Sequence, residues 1–188
     1  MYKLLPIDRL NKSLKTKVIE KLVASSPIEV MKKTVFSLMH THNLKIEERL
    51  NKDYEVTGYN IHETDELSLD QLREAEKTIQ YSMIPLESFE CEKELLKTVA
   101  CMSKPREENS KDIAFRVKLM AEELSMYPAD IYMHVCKHIR NTKTFFPALA
   151  EFRNVGDYHF QRRKALLDTV QKCIEKKEKD NKSIETSA

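Results

Sequence analysis

Two glycines in 188 residues constrain this chain more than any other feature. A fold built from many strands needs glycine at its tight turns and bulges, so a turn-rich β architecture is a poor fit. What the sequence offers instead is a succession of apolar residues three and four apart, the spacing that puts one side of a helix into a core. The expected fold class is therefore all-α, a helical bundle or two small helical subdomains, followed by a disordered C-terminal tail.

The chain supports this segment by segment. Ile7, Leu10, Leu14, Val18 and Leu22 mark one face of a helix starting near Asp8 and ending at Ser25-Ser26-Pro27. Ser26, Pro27 and Glu29 then make a capping-box start, with proline at the first helical position where its missing N–H costs nothing. Ile28, Met31, Val35, Leu38 and Met39 follow on the inner side of this second helix, and the two helices read as an antiparallel hairpin. Leu44–Lys52 reads as a short helix and Asp53–Thr64 as a loop, with a short strand at Tyr54–Thr57 as the alternative. Ser68 and Gln71 form another capping box ahead of Leu69, Leu72, Ile79 and Met83, and a further helix covers residues 88–102.

Residues 103–109, SKPREEN, have a linker's composition and set the expected boundary between an N-terminal region, 1–102, and a C-terminal helical region, 110–175. Ser110 is placed to cap a helix through Ile113, Val117, Met120 and Leu124, and Ile131, Val135 and Ile139 mark the next. Pro147 is expected to start the last helix, with Gly156-Asp157 as a bend within it. Residues 176–188 are charged without an apolar stripe and are expected to be a flexible tail.

Charge is unevenly spread. Residues 1–45 carry nine Lys/Arg against three Asp/Glu, residues 46–96 carry five against fourteen, and the net charge of the whole is +2. An acidic middle between basic ends suits a basic partner or folding back on those ends; ordinary solvated helix faces give the same statistics. The four cysteines, Cys91, Cys101, Cys136 and Cys173, have no paired spacing and read as reduced thiols, and with no signal sequence or long apolar run the chain is expected to be cytoplasmic.

No catalytic motif is present. There is no glycine-rich phosphate loop and no nucleophile elbow, and His134, Cys136 and His138 do not complete a metal-ligand set, because Cys136 points away from the face the two histidines share. The expectation is a protein that is not an enzyme and takes no cofactor or metal. The segment from Thr142 to Asp168 carries the best binding candidates: Phe145, Phe146 and Tyr158 for stacking or partner contact, and Arg153, Arg162, Arg163 and Lys164 for phosphates. The competing reading packs the phenylalanines inside and leaves the cations solvated. Arg163 falls among Phe160, Leu167, Val170 and Ile174 on the apolar side, so it needs a carboxylate, the core's edge or a partner, and Glu151 is the local candidate if the chain bends near Gly156.

Tyr127-Pro128-Ala129-Asp130, then Phe145-Phe146-Pro147-Ala148-Leu149-Ala150-Glu151-Phe152, then Arg162-Arg163 ahead of an apolar helix, resembles a pattern in small uncharacterised proteins encoded in phages and prophages, over roughly residues 110–175. The shorter aromatic-x-Pro-x-x-Ala-Glu element is similar to segments of phage replicative-helicase loader or inhibitor proteins. The resemblance implies a phage-type accessory role in DNA replication, with a replicative helicase or other replication protein, or single-stranded DNA, as partner. The alternative is a small DNA-binding regulator using residues 129–155 as a helix-turn-helix-like unit, a poorer fit because Leu149-Ala150 and Phe152 make its recognition helix apolar. Oligomeric state is not legible.

Overall fold

The computed structural model describes residues 12–62, 66–103 and 109–186, with side chains to 182. Among them are seven helices and one two-stranded sheet: α1 (Lys12–Val23), α2 (Pro27–Thr41), β1 (Lys45–Leu50), β2 (Val56–His62), α3 (Leu69–Ser82), α4 (Ser88–Ala100), α5 (Ser110–Leu124), α6 (Ala129–Thr142) and α7 (Leu149–Thr186). The chain is thus mostly helical, but the all-α expectation needs correcting for the hairpin, and the expected flexible tail is a helix through Thr186. The expected start near Asp8 and most of the 103–109 linker lie outside the described residues.

Two compact units share the chain. The first comprises the described residues of Met1–Ile28 with Met83–Phe160, and the second Glu29–Ser82 with the described residues of Gln161–Ala188. Each has its own core. In the first, Cys91, Leu95 and Val99 of α4 pack with Ile113, Val117, Met120, Ala121 and Leu124 of α5, Ile131, Tyr132, Val135, Cys136 and Ile139 of α6, and Phe152 of α7. The α5 and α6 residues repeat every three or four positions, so the sequence periodicity maps directly onto the buried faces. Asn109, not Ser110, caps α5: its Oδ1 accepts the Lys111 and Asp112 backbone N–H groups at 2.9 and 3.0 Å. Asparagine and serine are near-equal caps, so composition could not choose between neighbours.

In the second unit Met31 and Leu38 of α2, Leu44, Tyr59 of β2, Leu67, Leu72, Ala75 and Ile79 of α3, and Leu166, Val170 and Ile174 of α7 form the core. The Ser68–Gln71 capping box is made in both directions, Ser68 N–H to Gln71 Oε1 at 2.8 Å and Gln71 N–H to Ser68 Oγ at 3.1 Å. Pro27 is the first residue of α2, as its fixed φ allows. Of the apolar residues expected inward on α1 and α2, Leu14, Ile28 and Met39 are exposed.

The hairpin replaces the short helix expected over 44–52 and most of the loop expected over 53–64, whose last two residues lie outside the described ones; of the alternative strand at Tyr54–Thr57, Val56 and Thr57 open β2. β1 and β2 are antiparallel, with Glu47 opposite Asn60 and Glu48 opposite Tyr59, and an irregularity between Arg49 and Leu50. Asn51 closes the turn: its Oδ1 accepts the N–H groups of Asp53 and Glu55 at 2.9 and 2.8 Å. That side-chain turn supplies what a glycine would otherwise provide. Tyr54 then adopts φ 60°, a region a side chain enters only at some cost.

α7 begins at Leu149, so Pro147 lies two residues ahead of the helix rather than at its first position. No break occurs at Gly156-Asp157. Gly156 is buried against Tyr127, and a Cβ on it would stand 2.8 Å from the Tyr127 ring. The glycine therefore permits close approach of a helix to an aromatic ring, and the chain does not bend there.

Candidate binding surfaces

The seven residues singled out by sequence are divided between the two units. Phe145, Phe146, Arg153 and Tyr158 belong to the first unit, Arg162, Arg163 and Lys164 to the second. Phe145 is exposed in the connection between α6 and α7, while its neighbour Phe146 packs against the first core, edge-on to Phe152 at 5.7 Å and covered by the Arg116 guanidinium 4.8 Å above its ring. Arg153 donates to Glu123 at 2.6 Å. Tyr158 is exposed, with its ring against His159.

In the second unit Arg162 donates to Glu48 of β1 at 2.8 Å, and Lys164 is half-buried. Arg163 is only 1 % exposed and its Nη1 donates to the Ser82 carbonyl, the last residue of α3, at 2.7 Å. A helix C-terminus leaves carbonyls without helical donors and carries partial negative charge, so a guanidinium is a suitable partner there. The pairing expected between Arg163 and Glu151 is thus replaced: with α7 continuous, Glu151 instead forms an ion pair with Lys143 at the end of α6.

Other polar groups of the first unit are committed to its interior. Glu94 of α4 is buried and accepts from Arg140 of α6, whose Nη1 also reaches Thr98 Oγ1 at 3.0 Å. Tyr132 Oη donates to the Cys91 carbonyl at 2.8 Å, and Tyr127 Oη donates to Asp157 at 2.5 Å. Burial pushes the Cys91 thiol up to about 11 and the Cys136 thiol up to about 12, so neither presents a thiolate at neutral pH. Burial, with His138 adding to it, holds His134 below the ordinary histidine value, against the opposing pull of Asp130.

The His134 ring stands 6.4 Å from that of His138 and 5.3 Å from that of His159, between centroids. Cys136 is buried in the core, away from them. Among the described residues no group of three or more His, Cys, Asp or Glu side chains is placed to hold a metal ion. Nor, among them, is any helix long and apolar enough to cross a membrane.

Sequence reasoning missed the outward faces of α4 and α5. Phe89 is 72 % exposed and Leu96 49 % on α4; Phe115 is 67 % exposed on α5, joined by Leu119 and, just past the helix, by Met126. On α5 Phe115 and Leu119 lie one turn apart on the side opposite the buried Ile113, Val117, Met120 and Leu124. The signal was available: a helix apolar on two faces satisfies its own core with one and presents the other. No protein-family model, no curated protein and no solved structure matches this chain.

Proposed function

We propose that this chain is a phage-type accessory protein that works by binding another protein, with a replicative helicase as the candidate partner, and that it performs no catalysis. One observation carries the reading: the first unit exposes Phe89, Leu96, Phe115 and Leu119 on helices whose opposite faces are already packed, with Met126 exposed just past the end of α5. Aromatic and long apolar side chains held on rigid helices are the usual anchors of protein interfaces. The chemistry of the interior agrees, since the buried thiols are held protonated and the buried carboxylate Glu94 is occupied by Arg140.

Single-stranded DNA is the second ligand this reading admits. Support for it is thinner, because Arg153 and Arg162 are engaged by carboxylates and Arg163 is buried, which leaves Phe145 and Tyr158 as the exposed aromatic residues of the expected set. The helix-turn-helix alternative over 129–155 has Phe152, in the first turn of α7, fully buried. Such a residue cannot face base edges.

Affinity capture from a natural host, compared between the wild type and Phe115→Glu, tests the proposal. A replicative helicase should be retained by the wild type and lost with the variant, whose fold is checked by circular dichroism. In parallel, fluorescence anisotropy with a single-stranded oligonucleotide should show little change in salt dependence for Arg162→Gln with Lys164→Gln, whereas a log-log slope lower by about one per lost contact would move the function to DNA. Retention of a double-stranded DNA site and no helicase would overturn the protein-binding reading.

A further inference from the structure

We propose that a groove of the first unit, between the α1–α2 connection and α6, binds a phosphoryl group through Arg140, Lys137 and His134. α1 packs on α6, and Ser25 and Ser26 of the chain leaving it line, together with one face of α6, a space of about 230 Å³. Asp130, His134, Lys137 and Arg140 form the α6 side of that space. At 3.6 residues per turn these four fall within an arc of about 120°, so a single helix face sets the chemistry of the groove.

Arg140 is the anchor. Its Nη1 donates to Glu94 and to Thr98 Oγ1, both on α4, and these are its only acceptors among the described residues. The guanidinium is thereby fixed at one end and still 21 % exposed, which leaves Nε and Nη2 to donate to a ligand in the groove. Those two donors form one edge of the planar fork, and two parallel N–H groups match two oxygens of a phosphate in a way that an ammonium cannot. A fork already held by two hydrogen bonds also loses little freedom when a ligand docks.

Two further side chains bring donors to the same face. Lys93 and Lys97 each find a glutamate three residues back on their own helix, whereas Lys137 has Met133 and His134 in the preceding turn and makes no ion pair among the described residues. His134 stands against the rings of His138 and His159, and a neutral imidazole keeps one N–H to give. Asp130 is the one carboxylate among the lining residues; at 1 % exposure and already engaged within the protein, it opposes an anion by its charge without reaching the ligand. Glu94 likewise tempers the charge of Arg140, so the hold on a phosphoryl group is weak and reversible. Size selects as well: at about 230 Å³, under the roughly 300 Å³ where small-molecule pockets begin, the groove takes a phosphoryl group and not a whole nucleotide.

The helicase reading uses the outer sides of α4 and α5, and the groove stands or falls apart from it. In ¹H–¹⁵N spectra of the full chain at low ionic strength, inorganic phosphate should saturably shift the amide signals of Ser25, Ser26 and residues 130–140, with a dissociation constant on the order of a millimolar, while chloride should not. Lys137→Gln, at an exposed position, should weaken binding about threefold or more. Arg140→Lys, which keeps the charge and loses the fork, should weaken it about tenfold, with the melting curve showing a folded chain. Competition then identifies the source of the phosphoryl group: displacement of phosphate by a 5′-mononucleotide but not by an oligonucleotide without a terminal phosphate assigns a phosphomonoester, and the reverse assigns a nucleic-acid backbone. No saturable shift up to about 20 mM phosphate, an equal response to chloride, or binding unchanged in both variants would overturn the proposal.

Discussion

The two units each set a cationic side chain against a core, one at its edge and one inside it. In the first, Arg140 of α6 meets a charge of opposite sign, Glu94, and a hydroxyl. In the second, Arg163 is fully enclosed beside Leu166 and meets the backbone carbonyl that ends α3. The first arrangement offsets desolvation with Coulomb attraction between two side chains; the second includes a peptide carbonyl at a helix end among the groups that the guanidinium meets. The lesson is that what a buried charge meets in a small core need not be announced by the sequence, because main chain can be part of it.

Substitutions should separate the two arrangements. Arg163→Ala leaves both a large void and a carbonyl without its donor, and is expected to cost about 3–5 kcal/mol of stability, while Arg163→Met refills the space and costs less. Equal losses for both in urea unfolding would mean that the hydrogen bond, and not packing, holds the second unit together. Glu94→Ala comes next, at about 2–3 kcal/mol: it strands Arg140, but that guanidinium is partly exposed and water screens it. Glu94→Ala with Arg140→Met should recover part of the loss, and no recovery would argue against the pair as the source of the effect.

Gly156→Ala puts two opposing effects on one residue. Helix propensity favours alanine by up to about 1 kcal/mol, and crowding against Tyr127 costs about 1–3 kcal/mol. A net loss is expected, relieved in the double variant with Tyr127→Leu; a gain from Gly156→Ala alone would show that the ring moves aside. The smallest effect is that of His134. Its folded-state value is lowered, so the unfolded chain binds a proton more readily, and the first unit should lose stability as pH falls from the ordinary histidine value through the lowered one. Melting temperatures at pH 7.5 and 5.5 should therefore differ more for the wild type than for His134→Gln, with no such difference leaving His134 without a part in acid sensitivity.

Legibility in the sequence follows the same division. Ile113, Val117, Met120 and Leu124, or Ile131, Val135 and Ile139, bury one clean helical face each, so periodicity alone located α5 and α6. The hairpin was hidden because β1, Lys-Ile-Glu-Glu-Arg-Leu, is almost wholly exposed and made largely of good helix formers, and because its turn uses Asn51 where glycine was sought. Arg163 was correctly placed on an apolar face by its spacing, yet Ser82 is 81 residues away and no local pattern names it. The binding candidates around Phe145 were chosen for composition, which cannot tell an exposed ring from Phe146, which is covered by Arg116.

α7 contributes Phe152 to one core and Leu166, Val170 and Ile174 to the other. During synthesis, N-terminus first, the chain would therefore emerge with α1 through α6 before either core could close, and the second core would be completed only after Ile174 had left the ribosome. A chain stopped between residues 160 and 165 would hold Phe152 but lack all three residues that seal the second unit. Products that stop before Ile174 would thus keep open hydrophobic surface, readily recognised by proteases, and only chains extending past it would close both cores.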